Sequence, residues 1–266
     1  MKWIFALNEK SPVNVNGDSY ELMAKVAVRS ARINAPCLMP NMIWNGKPTA
    51  FTESMQKMGV NVMFHRLSFQ DQVDLVANRT DVWRHVAKGA MLRLDIPMIF
   101  SELDEQILYT DVDIMFLDDP SKYTFETSLF AFSSEFEYNN FININTGVMI
   151  LNLAAARRGF PAFLDWTKDN LDWLPDYDQG AIRAYFNGHW ERLDQRMNWK
   201  PYWNYCKDPI IVHFHGPKPT DFDSTSLLPK FNVPAGHIYE KLYSRGEIGY
   251  SLYLQKWLDF YRDILN

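Results

Sequence analysis

Asp111 and Asp113 stand one residue apart in the run Ile107-Leu108-Tyr109-Thr110-Asp111-Val112-Asp113-Ile114-Met115-Phe116, with apolar residues on both sides. Apolar flanks of this kind are expected to be buried, and an unpaired carboxylate is costly to bury. Two negative charges at the edge of a core call for compensation, by a divalent cation or by a basic side chain. A strand that simply ends in solvent at Asp111 is the plain alternative. Hard oxygen ligands favour Mg2+ or Mn2+ over softer metals. Ile107–Tyr109 reads as a buried strand, and open α/β sheets place their ligands at the carboxyl ends of strands.

The elements around this pair alternate between strand and helix. Trp3–Leu7 reads as a first strand, followed by a loop over Asn8–Asp18. Asp18 or Ser19 can cap a helix whose apolar positions include Leu22, Met23, Val26 and Ile33, and Pro36 ends it. Cys37–Trp44 and Val60–Phe64 read as further strands, with a short helix over Thr52–Met58 between them. Asp81–Met91 has helical periodicity. Ser128–Phe132 and Asn143–Leu153 read as strands, and Phe160–Leu174 as a helix. Pro175–Gly180 reads as a loop before a short helix over Ala181–Phe186. Ile210–Phe214 is a late strand and Tyr250–Leu265 a final amphipathic helix, with Leu252, Leu254, Trp257, Leu258, Tyr261 and Leu265 as its apolar set. This alternation predicts an α/β fold built on a mostly parallel sheet. Nothing reads as an internal repeat or a domain linker, so residues 1–266 are expected to form a single domain.

Several segments, taken in order, resemble the landmarks of the glycogenin-like, family 8 glycosyltransferases. Leu108-Tyr109-Thr110-Asp111-Val112-Asp113 is similar to their Y-L-D-x-D strand, and Ile144-Asn145-Thr146-Gly147-Val148-Met149 to their F-N-[ST]-G-V strand. Asp178-Gln179-Gly180 is similar to their D-Q-G segment. Val212-His213-Phe214-His215-Gly216-Pro217-Lys218-Pro219 resembles their H-x-x-G-x-x-K-P-W element, though it is one residue shorter between Gly216 and Lys218 and has Thr220 where Trp is usual. Arg93 falls where the family carries a basic residue ahead of the metal strand. These landmarks span about half of the chain, from Arg93 to Lys218.

The resemblance implies a GT-A, Rossmann-like fold: a mixed, mostly parallel sheet flanked by helices, with the D-x-D motif at a strand end. It implies transfer of a hexosyl group from a nucleotide sugar, a UDP-sugar first among them, to a glycan or other hydroxyl acceptor, with retention. It implies Mn2+ or Mg2+ held by Asp111, Asp113 and His213. Ala6, Leu7 and Asn8 at the end of the first strand, with Val112, are then the expected nucleotide contacts. The loop Asn8–Asp18 is longer than the family's nucleotide turn. Gly216 would let backbone N–H groups approach phosphate, and Lys218 would add a point charge.

Each of these residues also has a plainer reading. His213 and His215 would share one face of a strand, so His215 is the second choice as ligand, and a strand histidine can simply bond a carbonyl. Lys218 can be a surface lysine. Arg93 can cap the donor phosphate or sugar, or pair with a neighbour such as Glu102 or Asp104. Asn145 suits a sugar hydroxyl but can cap a neighbouring loop. Asp178 is placed near the anomeric side of the donor sugar, with helix N-capping as its alternative. His65, His85, His189 and His237 have no partner pattern. The cluster Trp199–Tyr205 can line an acceptor groove or pack as a connecting loop.

The bulk numbers exclude some classes. With 27 Lys and Arg against 32 Asp and Glu, the net charge is −5, which favours neither nucleic acid nor an anionic membrane. Apolar content is 47% and aromatic content 15%, which suits a thick core and also sugar stacking. Cys37 and Cys206 lie far apart and form no disulfide or metal pattern. No stretch has the ~18 apolar residues of a membrane span, and Trp3–Leu7 is too short for a signal-peptide core. A cytoplasmic location is the expectation. Two other functions are weighed. A sugar-phosphate nucleotidyltransferase would want a Gly-rich basic loop after the first strand, and Asn8–Asp18 has one Gly and one Lys. A non-catalytic nucleotide-sugar-binding module would be expected to lose the Asp pair or the His. A D-x-D-x-[TV] phosphatase fits poorly, since its Asp pair normally follows the first strand.

Overall fold

The computed structural model describes residues 1–10, 20–101, 105–123, 125–230 and 233–265. Strands, in chain order, are β1 (Lys2–Asn8), β2 (Met39–Asn45), β3 (Asn61–Phe64), β4 (Gln106–Thr110), β5 (Ile114–Phe116), β6 (Phe130–Ser134), β7 (Ile144–Asn152), β8 (Glu191–Arg192) and β9 (Ile211–His213). Helices are α1 (Tyr20–Asn34), α2 (Ala50–Lys57), α3 (Gln70–Leu75), α4 (Asp81–Met91), α5 (Ile96–Ile99), α6 (Leu153–Asn170), α7 (Tyr177–Phe186), α8 (Ile238–Arg245) and α9 (Glu247–Leu265). Contacts divide the chain into two compact units. One comprises Met1–Pro12, Met39–Asp111 and Thr124–Leu193, the other Val13–Leu38, Val112–Tyr123 and Asp194–Asn266.

The first unit holds a seven-stranded sheet in the order β3-β2-β1-β4-β7-β6-β8. β1 runs parallel to both β2 and β4, and β3 parallel to β2. β7 is antiparallel to β4 and to β6, while β8 is parallel to β6. This is the mixed, mostly parallel sheet expected from the alternation of elements. Central strands buried on both faces carry near-continuous apolar runs. In β1, Ile4 and Ala6 enter the main apolar cluster, as do Ile107 and Tyr109 of β4. Trp3 and Phe5 are buried on the opposite face, where the Trp3 indole donates to Thr110 Oγ1 at 2.8 Å. That bond pins the end of β4 one residue before Asp111. The β6–β7 register shifts between Phe132 and Ser133. A bulge of this kind re-aims the residues beyond it, here Ser133, Ser134 and Glu135.

The second unit pairs β5 with β9 antiparallel, Ile114 opposite His213. Helix α1 packs on β5 and is locked to it by side chains. Ser30 Oγ accepts from Phe116 N–H at 3.0 Å, and Asn34 Nδ2 donates to Phe116 O at 2.8 Å. Helix α9 buries Tyr250, Tyr253, Leu254, Trp257 and Leu258. Leu252 and Leu265, expected in its apolar set, are exposed, because the buried stripe is centred on Tyr250 and Trp257 instead.

Some expectations need correction. Helix α6 starts at Leu153, seven residues before the expected Phe160, and runs through Pro161. Asn152 caps it by accepting from Ala155 N–H at 3.1 Å. Asp178, Gln179 and Gly180 lie in the first turn of α7 rather than in a loop ahead of it, and the position before that helix is Asp176. Helices α3, α5 and α8 and strands β5 and β8 were not anticipated. Capping of the first long helix by Asp18 or Ser19, and most of the loop Asn8–Asp18, lie outside the described residues. Among the described residues no helix is long and apolar enough to cross a membrane.

Candidate active site

In the first unit, Arg93 is the hub. It sits in a short 3-10 turn after α4 and is 4% exposed. Its Nη2 donates to Asp111 Oδ1 at 2.7 Å, its Nη1 to Thr146 O at 2.7 Å and its Nε to Ala90 O at 2.8 Å. The guanidinium also lies 4.5 Å from the centre of the Tyr109 ring. Burial alone would lower its pKa, but Asp111 and Asp178 outweigh that and hold it raised and fully charged. Glu102 and Asp104, the alternative partners, lie outside the described residues; the observed partner is Asp111. One of the two D-x-D carboxylates is thus compensated by a basic side chain.

Asp178 is buried in the first turn of α7. Its Oδ2 lies 3.3 Å from Arg93 Nε, yet that N–H is aimed at Ala90 O. Oδ2 therefore accepts no hydrogen bond. Burial, offset by Arg93 and by a bond from the Thr146 side chain, pushes the Asp178 carboxyl up to about 6. A buried acid with an unsatisfied oxygen is a candidate for a functional role.

Beside it, Gln179 Oε1 accepts from Thr146 N–H at 3.1 Å and from Asn145 Nδ2 at 3.4 Å. Gln179 Nε2 donates to Glu135 Oε1 at 2.8 Å. Asn145 thus meets a helix side chain. Gly180 permits this packing, since a Cβ there would fall 1.7 Å from Pro175 O. Gln179 and Glu135 were not singled out from the sequence. Gln179 stood in a quoted motif, but its partners are 33 to 44 residues away in the chain.

At the end of β1, Ala6, Leu7 and Asn8 are buried. Asn8 Nδ2 donates to His85 O at 3.2 Å. A cavity of about 170 Å³ opens there, lined by Asn8, Asn45, Gly46, Gln70, His85 and Lys88. Among the other unassigned histidines of this unit, His65 Nε2 meets Asp95 Oδ2 at 2.8 Å and His189 Nδ1 meets Phe186 O at 2.6 Å.

In the second unit, Val112 and Asp113 are buried. Lys218 Nζ donates to Asp113 Oδ2 and, at 3.1 Å, to Phe214 O. Lys218 is therefore buried, not a surface lysine. Burial alone would raise the Asp113 carboxyl, but Lys218 and His213 outweigh it and hold it well below the usual range. The same carboxylate, outweighing burial, raises Lys218. His213 Nδ1 lies 2.9 Å from Asn198 Oδ1 and its Nε2 3.3 Å from Asp113 Oδ1. An Nε2–H would donate to that carboxylate oxygen, whereas if Nδ1–H is given to Asn198 the Nε2 lone pair faces it. Two acceptors so placed need a proton or a cation between them. Orientation of one imidazole nitrogen by an outer partner is the usual arrangement for a metal-ligating histidine.

His215 faces elsewhere, with Nδ1 3.0 Å from Tyr202 Oη, and burial pushes its pKa well down. Gly216 has φ +95°, a region that favours glycine. Tyr202 is fully buried, and Lys200 Nζ lies 4.4 Å from the centre of the Trp203 ring. Much of the Trp199–Tyr205 cluster is thus packed. His237 caps α8 by accepting from Tyr239 N–H at 3.2 Å.

Asp111, Asp113 and His213 each offer one ligand atom of the kind a hard divalent cation takes. Asp111 is two residues from Asp113, which caps their Cα separation at about 7 Å. The donor chemistry fits such an ion.

The galactosyltransferase LgtC, solved in complex with donor and acceptor sugar analogues, matches this chain with a TM-score of 0.64 at 18% identity, over 93% of this chain and 95% of that one. The chain has a glycosyltransferase fold. GlyE of Streptococcus pneumoniae TIGR4 matches with a TM-score of 0.61 at 15% identity, over 97% of this chain and 64% of its own. The bifunctional glycosyltransferase WbbM matches with a TM-score of 0.60 at 12% identity, over 93% of this chain and 52% of its own. The chain thus spans a little over half to two thirds of those two proteins. No family model and no curated protein sequence matches the chain. At these identities the likeness is one of fold, and it is the GT-A fold expected from the resemblance to the family 8 enzymes.

Proposed function

We propose that residues 1–266 act as one GT-A domain, a metal-dependent glycosyltransferase that moves a hexosyl group from a nucleotide sugar, UDP-sugar by preference, to a hydroxyl acceptor with retention. One observation carries this reading: in a glycosyltransferase fold, the buried Asp113 meets an imidazole whose other nitrogen is held by Asn198. Asp111, Asp113 and His213 are the ligands, and Mn2+ or Mg2+ is the ion. When bound, the cation supplies Lewis-acid compensation for the charge of the departing diphosphate. Lys218 adds a second positive charge at that diphosphate, and Gly216 lets the backbone approach it. Ala6, Leu7, Asn8 and Val112 contact the nucleotide. Arg93, Asn145 and Asp178 orient the donor sugar, with Gln179 fixing Asn145. The departing diphosphate oxygen accepts the acceptor's proton, so these side chains need supply no base.

The test is a donor screen that reads released nucleoside diphosphate, with Mn2+ and with EDTA. A UDP-sugar should be consumed only with metal, and Asp113→Ala should abolish that turnover while the circular dichroism stays native. Full activity of the variant in EDTA would sink the proposal. Release of pyrophosphate would point to a nucleotidyltransferase, and binding of donor without any release to a non-catalytic module.

A further inference from the structure

A groove of about 700 Å³ in the first unit lies outside the residues described so far. Its walls are the β6–β7 loop and the end of α7 with the turn that follows, and β8 closes it. Arg192 is the informative residue. It is exposed, its guanidinium lies 4.9 Å from the centre of the Phe141 ring, and it has no ion pair or hydrogen bond among the described residues. By contrast Arg183, on the opposite wall, is paired with Asp176 and lies 3.7 Å from Glu135. The main chain at Phe141 is held in place. Trp190 Nε1 donates to Phe141 O at 3.1 Å, and Trp190 meets Phe132 edge-on at 6.4 Å. The side-chain amides of Asn139, Asn143 and Asn187 also line the groove and bond nothing among the described residues. Each offers a donor and an acceptor.

An unpaired guanidinium fork, three open amides and fixed aromatic edges form the recognition set for a sugar that carries an anion. Arg matches carboxylate and phosphate in a bidentate way, and amides match hydroxyls. The groove also connects to the site. The Glu135 carboxylate receives Gln179 Nε2 at 2.8 Å on one oxygen and faces Arg183 Nη1 at 3.7 Å with the other. Gln179 and Arg183 are four residues apart on α7, roughly 6 Å along its axis.

We propose that this groove is a distal acceptor subsite for an acidic glycan: the sugar next to the receiving unit carries a carboxylate or phosphate taken up by Arg192. This rests on the glycosyl-transfer reading above. Calorimetry on the full chain with maltotetraose, tetragalacturonate and a phosphorylated mannopentaose tests it without turnover. At least one of the two anionic glycans should bind roughly tenfold or more tightly than the neutral one, the scale of one charge-assisted contact. That preference should vanish in Arg192→Ala and fall with added salt. The two anionic arms distinguish carboxylate from phosphate. Equal binding of all three, a preference that survives Arg192→Ala, or binding of none overturns the proposal. Inorganic phosphate binding as tightly as the glycans would also overturn it, since the groove would then be a simple ion site. Release of UDP from donor alone should be the same in Arg192→Ala and wild type. A failed donor screen would refute the glycosyl-transfer reading, whereas a failed calorimetric preference would refute the subsite.

Discussion

Replacing Lys218 by methionine removes the cation that compensates Asp113 and keeps the volume. Asp113 is 4% exposed, and Lys218 is its basic partner. Breaking a buried pair by removing one partner costs about 3–5 kcal/mol, because the other charge stays buried and uncompensated. For a chain of this size that lowers the midpoint of thermal unfolding by on the order of 10 °C. Metal should then act differently on the two proteins. In the wild type a cation must displace the ammonium from Asp113, whereas in Lys218→Met it meets a bare carboxylate. A ligand at a hundred times its Kd adds about 2.7 kcal/mol of stability, so Mn2+ should restore much of the loss. The assay is differential scanning fluorimetry of both proteins in EDTA and in Mn2+, with Lys218→Arg as a charge-keeping control. The pH arm has a definite sign. A carboxyl held below its usual value adds stability above an unfolded pKa of about 3.9 and loses it as pH falls. The gap between wild type and variant should therefore be widest near neutrality and close as pH drops below about 4. An unchanged midpoint in EDTA, or a Mn2+ shift no larger than in the wild type, would refute the reasoning.

Asp178→Asn should stabilise the protein at pH 7. The carboxyl sits at about 6 when folded against 3.8 ordinarily, so its stability contribution is whole below about 4 and lost as pH rises through 6. The variant should gain on the order of 2–3 kcal/mol at neutral pH and lose that slope, while turnover falls; a wild-type-like stability profile between pH 4 and 7 would contradict this. Gly180→Ala places a Cβ 1.7 Å from Pro175 O; it should cost at least ~1–3 kcal/mol in urea unfolding, and a neutral outcome would mean the turn before α7 is free to shift. Calorimetry with UDP, GDP and CMP in Mn2+ should show UDP tightest, and a different order would overturn the choice of base.

The sequence by itself specified most of the sheet strands and most of the helices, since their signals are local, but not the short β5 and β8. Apolar runs such as Ile107–Tyr109 and turn residues such as Asn45-Gly46 need no distant partner to be read. Residue type and spacing also marked Asp111 and Asp113, while Asn145, Asp178, His213 and Lys218 were marked by the resemblance of their segments to the family 8 landmarks. Two helix starts were misread because the deciding contacts are not periodic. Asn152 caps α6 through Ala155 N–H although Pro161 lies inside the helix, and Gly180 in the first turn of α7 packs closely against Pro175 O. What compensates the two carboxylates was beyond the sequence. It allowed a cation or a basic side chain, and the structure supplies Arg93 for Asp111 and Lys218 for Asp113, partners 18 and 105 residues away. The choice between His213 and His215 turns on which ring faces Asp113 and which meets Tyr202. Such pairings arise where strands and turns from separate parts of the chain are brought side by side, and burial then makes each polar group find whichever partner lies within reach.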